Sequence, residues 1–240
     1  MTGFKNQLIV VSGASSGIGL AMTTKLLSEG YSVLGIAKEY TDPIKKHENF
    51  QAITLDLADF DHLQSALAKI MKQISQPLRG LINNAGLGKM GYLEQLSIED
   101  IRLVMNTNFL SHAIVTKCFL PLLKQQNNPV DILFTGSEAA LQGARQGSIY
   151  CASKFAVRGF AQALREECAK SKVRVTIINP GAVRTPFFDN LHFQPGNSEE
   201  NAIAPEDIAE VMMTVLKVRP GTVIDEINLS PLVHVWQRKD

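Results

Sequence analysis

The sequence predicts an α/β fold, a doubly wound parallel sheet of about seven strands with helices on both faces. Three observations predict it. Short apolar runs rich in β-branched residues alternate with segments of helical apolar spacing from Leu8 to Asn228, and strands separated by helices pair in parallel with both faces covered. The first run ends in a glycine-rich turn that opens the first helix. No repeat, low-complexity tract or long linker interrupts this order, so residues 1–240 read as a single domain.

Taken in order, Leu8-Ile9-Val10-Val11 is a buried strand, and the helical pattern that follows from Ile18 to Glu29 stops at Gly30, a natural C-terminal cap. Tyr31 to Ala37 and Gln51 to Leu55 are the next strands, and Leu63 to Ile74 is an amphipathic helix. Leu78 to Ile82 is the fourth strand; Ile98 to Lys124 is a long helix broken once near its start. Val130 to Thr135, a helix from Ser148 to Ala169 and Val173 to Ile178 follow. Pro205-Glu206-Asp207 opens another helix with proline in its first turn, and Val223 to Asn228 is the last strand. Phe187 to Ala204 has no period and mixes phenylalanines with Pro195, Gly196 and Asn197, which reads as a substrate lid over roughly residues 187–204.

Lys plus Arg number 24 against 23 Asp plus Glu, a balance that speaks against nucleic acid or an anionic membrane as partner. Cys118, Cys151 and Cys168 form no CxxC pair. An odd, scattered set is expected to hold neither disulfides nor a metal, and free thiols suit a cytoplasmic location. No apolar run approaches the length of a membrane span, so a soluble protein is expected.

The chemistry-bearing motif is Tyr150-Cys151-Ala152-Ser153-Lys154, with Ser137 thirteen positions before the tyrosine. A tyrosine and a lysine four apart share one helix face, so phenol and ammonium can serve one proton-transfer site. A free phenol titrates near ~10, and a neighbouring cation favours the phenolate. The same spacing also occurs on ordinary surface helices. Cys151 lies off the tyrosine's direction on the helix and is expected to do nothing chemical.

In the other half, Ser12-Gly13-Ala14-Ser15-Ser16-Gly17-Ile18-Gly19 lies between strand and helix. Glycines there let backbone approach a pyrophosphate, and the helix N-terminus offers free amides.

Further motifs stand at strand ends: Asp56, Asn83-Asn84-Ala85-Gly86, Asn108 in the long helix, and Pro180-Gly181-Ala182-Val183-Arg184-Thr185. With the glycine turn, Ser137, Tyr150 and Lys154, they occur in the order found in the short-chain dehydrogenase/reductase family, which the chain resembles over essentially its whole length.

The resemblance implies a Rossmann-like fold and an oxidoreductase that transfers hydride between a nicotinamide cofactor and a carbonyl or alcohol. It implies catalytic roles for Ser137, Tyr150, Lys154 and Asn108, with Tyr150 as proton donor, Lys154 lowering its pKa and binding the ribose, and Asn108 holding a water. It implies cofactor contacts from Gly13, Ser15, Ser16, Gly17, Ile18 and Gly19 at the turn, and from Asp56, Leu57, Asn84, Ala85 and Gly86 on the adenosine side. Pro180, Gly181, Val183 and Thr185 would face the nicotinamide. Asp56 and Asn83-Asn84 equally suit turn or helix capping.

Where NAD-binding relatives carry an acid at the end of the second strand, this chain has Ala37 followed by Lys38, a cation suited to a 2′-phosphate. NADP(H) is therefore expected ahead of NAD(H). The rival reading is a non-catalytic NADP(H)-binding redox sensor. Such proteins typically lose the tyrosine or the lysine, and both are present here.

Assembly through the two long helices would give a homodimer or homotetramer. The tail from Leu229, with Pro231 and Trp236, would either pack in that interface or close the pocket. Leu87, Met90, Leu141 and the lid phenylalanines point to an apolar or aromatic small-molecule substrate.

Overall fold

The computed structural model describes residues 7–40 and 43–239. Met1 to Asn6, Thr41, Asp42 and Asp240, the end of the predicted tail, lie outside the described residues. Seven strands form one sheet: β1 (Leu8–Ser12), β2 (Ser32–Ala37), β3 (Phe50–Thr54), β4 (Leu78–Asn83), β5 (Val130–Thr135), β6 (Val173–Pro180) and β8 (Glu226–Leu229). Their order is β3-β2-β1-β4-β5-β6-β8, and every pair is parallel. The order reverses beside β1, so β1 and β4 carry their connections to opposite sides. A crevice opens there at the strands' C-terminal ends.

Six α-helices cover the sheet: α1 (Gly17–Ser28), α2 (Phe60–Gln73), α3 (Ile98–Met105), α4 (Ser111–Lys124), α5 (Ser148–Cys168) and α6 (Pro205–Lys217). The period-two alternation of the strands divides the core. Leu8 and Val10 of β1 face a cluster with α2, α4 and α5, whereas Ile9 and Val11 face one with α1 and α6. β1, β2, β4, β5 and β6 are buried along their whole length, as a sheet covered on both faces requires.

The break expected near the start of the Ile98 to Lys124 helix is a π turn, Asn106–Leu110, between α3 and α4. Two sequence expectations change. The last strand is Glu226–Leu229, leaving Val223 exposed outside it. The aperiodic 187–204 segment is ordered by a remote partner: β7 (Phe193–Pro195) pairs antiparallel with β9 (Trp236–Arg238) in the tail, matching Phe193 with Arg238 and Pro195 with Trp236. Two three-residue strands separated by some forty positions leave no local period to read. Aromatic contacts of Trp236 with Phe188 and Phe193, at 5.9 and 5.3 Å between centroids, fasten the tail to this segment.

At the N-terminal ends of the strands lies a buried ion triad. Asp131 of β5 accepts from Arg174 of β6 at 2.7 and 2.8 Å and from Arg79 of β4. Arg79 also donates to Leu216 O at 2.7 Å, and Arg174 to Val218 O at 3.0 Å. The two guanidinium groups thus cap the C-terminus of α6, where carbonyls lack helical partners.

Candidate active site

The turn after β1 is shaped by its own backbone. Gly13 sits at φ +68°, and a Cβ there would lie 2.9 Å from Ala85 Cα; one on Gly19 would lie 2.0 Å from Gly13 O. Gly19 is therefore demanded by helix-to-turn packing. Ser16, the N-cap of α1, makes no side-chain cap bond, and the first turn carries no acid. The amides of this helix end are left for an anion.

Asn84 closes the turn. Its Nδ2 donates to Ser12 O at 3.2 Å and to Gly13 O at 3.3 Å, and its Oδ1 accepts from Thr135 Oγ1 at 3.0 Å. Asn84 thereby ties the ends of β1, β4 and β5 together, a role its turn-forming character left open.

From this turn a cavity of about 920 Å³ extends across the sheet's C-terminal edge. Among the predicted residues it is lined by Gly13, Ser16, Gly17, Ile18, Asn84, Ala85 and Gly86, by Ser137, Tyr150 and Lys154, and by Pro180, Gly181, Val183 and Thr185. Ser15, Gly19, Lys38, Asp56, Leu57 and Asn108 do not line it. Leu57 is a core residue, 5% exposed. Lys38 and Asp56 stand at the ends of β2 and β3 and pair with each other at 3.0 Å, while Asp56 Oδ1 also caps Ala58 N at 2.9 Å.

Ser137 ends β5 and caps the short 3-10 turn Glu138–Ala140, accepting from Ala139 N at 3.1 Å. Its hydroxyl also lies close enough to the Tyr150 phenol to pull the phenol's pKa down. Lys154, one helical turn beyond Tyr150, donates to Thr135 O at 3.0 Å and lies 5.9 Å from the tyrosine ring centroid. The three groups converge on one wall of the cavity.

Their electrostatics correct one expectation. Burial pushes the Tyr150 phenol up to about 12, outweighing the Ser137 hydrogen bond that pulls it down. Burial also brings the Lys154 ammonium down to about 8, and Lys154 is not among the groups that move the tyrosine. The protein alone therefore does not depress the phenol. It keeps Tyr150 protonated at neutral pH.

The lysine shift has a sign that stability measurements read. Lys154 titrates lower in the folded than in the unfolded chain, so from about pH 8 to its ordinary value of 10.5 the unfolded state holds the extra proton. Native stability gains from this group across that window and is penalised below it. Urea unfolding of native protein and Lys154→Met should show the difference moving in the native protein's favour as pH rises from about 8 to about 10.5. A flat difference would contradict the buried, cation-penalising site.

Asn108 is fully buried within the π turn. Its Oδ1 accepts from Leu87 N at 2.9 Å, and its Nδ2 donates to Leu87 O at 3.0 Å and Ser153 Oγ at 3.1 Å. The side chain is spent on locking the β4 loop to α5, next to Lys154. The widened turn displaces helix backbone at this point, as π turns do at functional sites.

One expectation about the pocket wall fails. Leu141 is 38% exposed and off the cavity, because the 3-10 turn after Ser137 swings it outward. Cys151 is buried and lines the cavity, since the Gln142–Gly147 loop folds over that side of α5. The sequence analysis gave no role to Glu138 on the cavity; Asn190 and His192 fall in the expected lid, and Trp236 to Arg238 in the tail for which closing the pocket was one of two readings. The first adjoins Ser137 and was legible by position; the tail residues reach the cavity only through the β7–β9 pairing.

A family model for short chain dehydrogenase matches residues 7–195. The chain belongs to the short-chain dehydrogenase family. The chain is 34% identical to a sepiapterin reductase of Chlorobaculum tepidum, over 75% of this chain and 71% of that protein. It is 31% identical to an NADP-dependent 3-hydroxy acid dehydrogenase of Schizosaccharomyces pombe, over 96% of this chain and 95% of that one. In structure it resembles an alcohol dehydrogenase from the archaeon Thermococcus sibiricus complexed with 5-hydroxy-NADP. That match has a TM-score of 0.83 and 27% identity, covering 98% of this chain and 99% of that one.

The seven-stranded parallel sheet of this dehydrogenase is the Rossmann-like fold of the family. Among its described residues, no helix is long and apolar enough to cross a membrane, and no cluster of three metal-binding side chains occurs.

Proposed function

We propose that the chain is an NADP(H)-dependent oxidoreductase that interconverts a ketone or aldehyde and the corresponding alcohol. The observation that carries this reading is the convergence of Ser137, Tyr150 and Lys154 on a cavity that runs continuously from the open N-terminus of α1. NADP(H), when bound, supplies or accepts the hydride. The glycine turn would hold its phosphates, Asn84 to Gly86 its adenosine side, and Pro180 to Thr185 its nicotinamide end.

In the reductive direction the carbonyl π bond breaks as carbon gains hydride and oxygen gains a proton. Tyr150 donates that proton, and Ser137 hydrogen-bonds the oxygen as negative charge grows on it. Lys154, one helical turn from the tyrosine, would place its cation at the ribose position. Asn108 holds the β4 loop against α5 and thereby fixes the distance between cofactor and lysine.

NADP(H) over NAD(H) is supported by Lys38 after Ala37, and by the NADP named for the Schizosaccharomyces relative and the Thermococcus structure. The Lys38–Asp56 pair does not oppose it. Both side chains are about half exposed, and such pairs are worth only ~0–1 kcal/mol. A 2′-phosphate can therefore recruit the lysine. Catalytic efficiency should favour NADPH over NADH by at least about tenfold, and Lys38→Ala should erase about that factor for NADPH, the worth of one charge-assisted bond. Preference for NADH, or no loss in Lys38→Ala, would overturn the assignment.

Residues 187–204 and the paired tail are proposed to form the substrate lid. The α4 and α5 helices are proposed to join copies of the chain into a dimer or tetramer. Light scattering that showed only a 26.3 kDa species would refute the assembly.

A further inference from the structure

Among the described residues, three charged side chains on the cavity are not used by the proposed chemistry: Glu138, Arg238 and Arg145, the last bonded to the Tyr92 phenol. Glu138 follows Ser137 directly and lines the cavity with it. Among the described residues its carboxylate takes no side-chain hydrogen bond and no ion pair, the charge it senses being His234 of the tail. Burial holds its carboxyl above the usual range. Glu138 Oε2 rests on Gly181, where an added Cβ would come within 2.9 Å. The Gly181 loop thus leaves room for a carboxylate that no side-chain hydrogen bond or ion pair among the described residues holds, His234 being the charge that acts on it. Half-burying a carboxylate without a partner costs stability, and an unsatisfied charge in a cleft is a common mark of ligand recognition.

The cavity also has an aromatic wall. Phe187 packs on the Tyr150 ring at 5.7 Å, Phe188 on Phe187 at 5.2 Å, and Trp236 on Phe188 at 5.9 Å. Ring faces attract cations and shield them from water. Glu138 is close enough to Tyr150 to disfavour its phenolate, so a ligand group that meets Glu138 lies near the reacting carbonyl.

We propose that Glu138, with the Phe187, Phe188 and Trp236 wall, selects carbonyl substrates that carry an ammonium or a comparable N–H donor a few bonds from the reacting carbon. The inference rests on the reductase reading above and names its substrate class. The ammonium replaces the missing partner of the carboxylate, and the carbonyl then lies against Ser137 and Tyr150.

The test compares matched ketones with NADPH: phenylacetone against its ring-substituted aminomethyl analogue, and 2-heptanone against 7-amino-2-heptanone. The native protein should favour the ammonium member of a pair at least about tenfold in kcat/KM, mainly through KM, the worth of a hydrogen bond to a charged group. Glu138→Gln should lower that ratio by about the same factor, and Glu138→Asp should retain part of it. The single tryptophan gives a readout without turnover. Benzylammonium should change Trp236 fluorescence in the native protein at concentrations at least about tenfold lower than in Glu138→Gln.

Faster turnover of the neutral members by the native protein would overturn the inference while leaving the reductase reading intact. So would a ratio unchanged by Glu138→Gln. Absence of turnover for every ketone would overturn the reductase reading, and this inference with it.

Discussion

Tyr150→Phe should lower kcat about 10²- to 10⁴-fold, the span that a positioned general acid contributes. The substitution keeps the ring that packs on Phe187 and removes only the hydroxyl that meets Ser137. The pocket should therefore keep its shape. NADPH affinity, measured by titration calorimetry, should change little, since the glycine turn and the Pro180 to Thr185 loop are untouched. Near-normal turnover in Tyr150→Phe would refute the proton-donor role. The high pKa sharpens the case: with the phenol at about 12, the proton to be donated is present across neutral pH.

The second large effect is on stability and lies far from the cavity. Asp131→Ala should cost about 3–5 kcal/mol, because it leaves Arg79 and Arg174 as buried, uncompensated cations. In a chain of this size that corresponds to a fall in Tm of roughly 6–20 °C. Both arginines are about 5% exposed and cannot turn to solvent without releasing the end of α6. Replacing all three charges by apolar side chains should recover only part of the loss, since the carbonyls of Leu216 and Val218 would still lose their donors. Thermal unfolding followed by circular dichroism checks both. An Asp131→Ala variant as stable as the native chain would show the triad to be dispensable.

Ser137, Tyr150 and Lys154 were legible because each is tied to a local feature: a strand end, or one face of a helix. The strands were legible for a related reason, since those buried on both faces need continuous apolar runs that no surface segment tolerates. What stayed hidden depends on contacts between distant segments. Lys38 and Asp56, assigned separately to phosphate and adenine, turn out to be partners because β2 and β3 are adjacent and in register. The tail offered two readings, and the β7–β9 pairing placed it on the cavity. The lysine's expected pull on the tyrosine failed because spacing says nothing about desolvation. Burial acts on both groups and drives their pKa values in opposite directions.

By itself, then, the amino-acid order determined the sheet of alternating strands and helices, the glycine turn and the serine, tyrosine and lysine of the site. Those are properties of periodicity and of residues a few positions apart. Only the tertiary structure decided that Asn108 is a lock between loop and helix, that Glu138 lines the cavity with no side-chain hydrogen bond or ion pair among the described residues, and that Trp236 lines the cavity. Each depends on which segments the fold brings together and how much water it removes from between them, and neither quantity is encoded in local spacing.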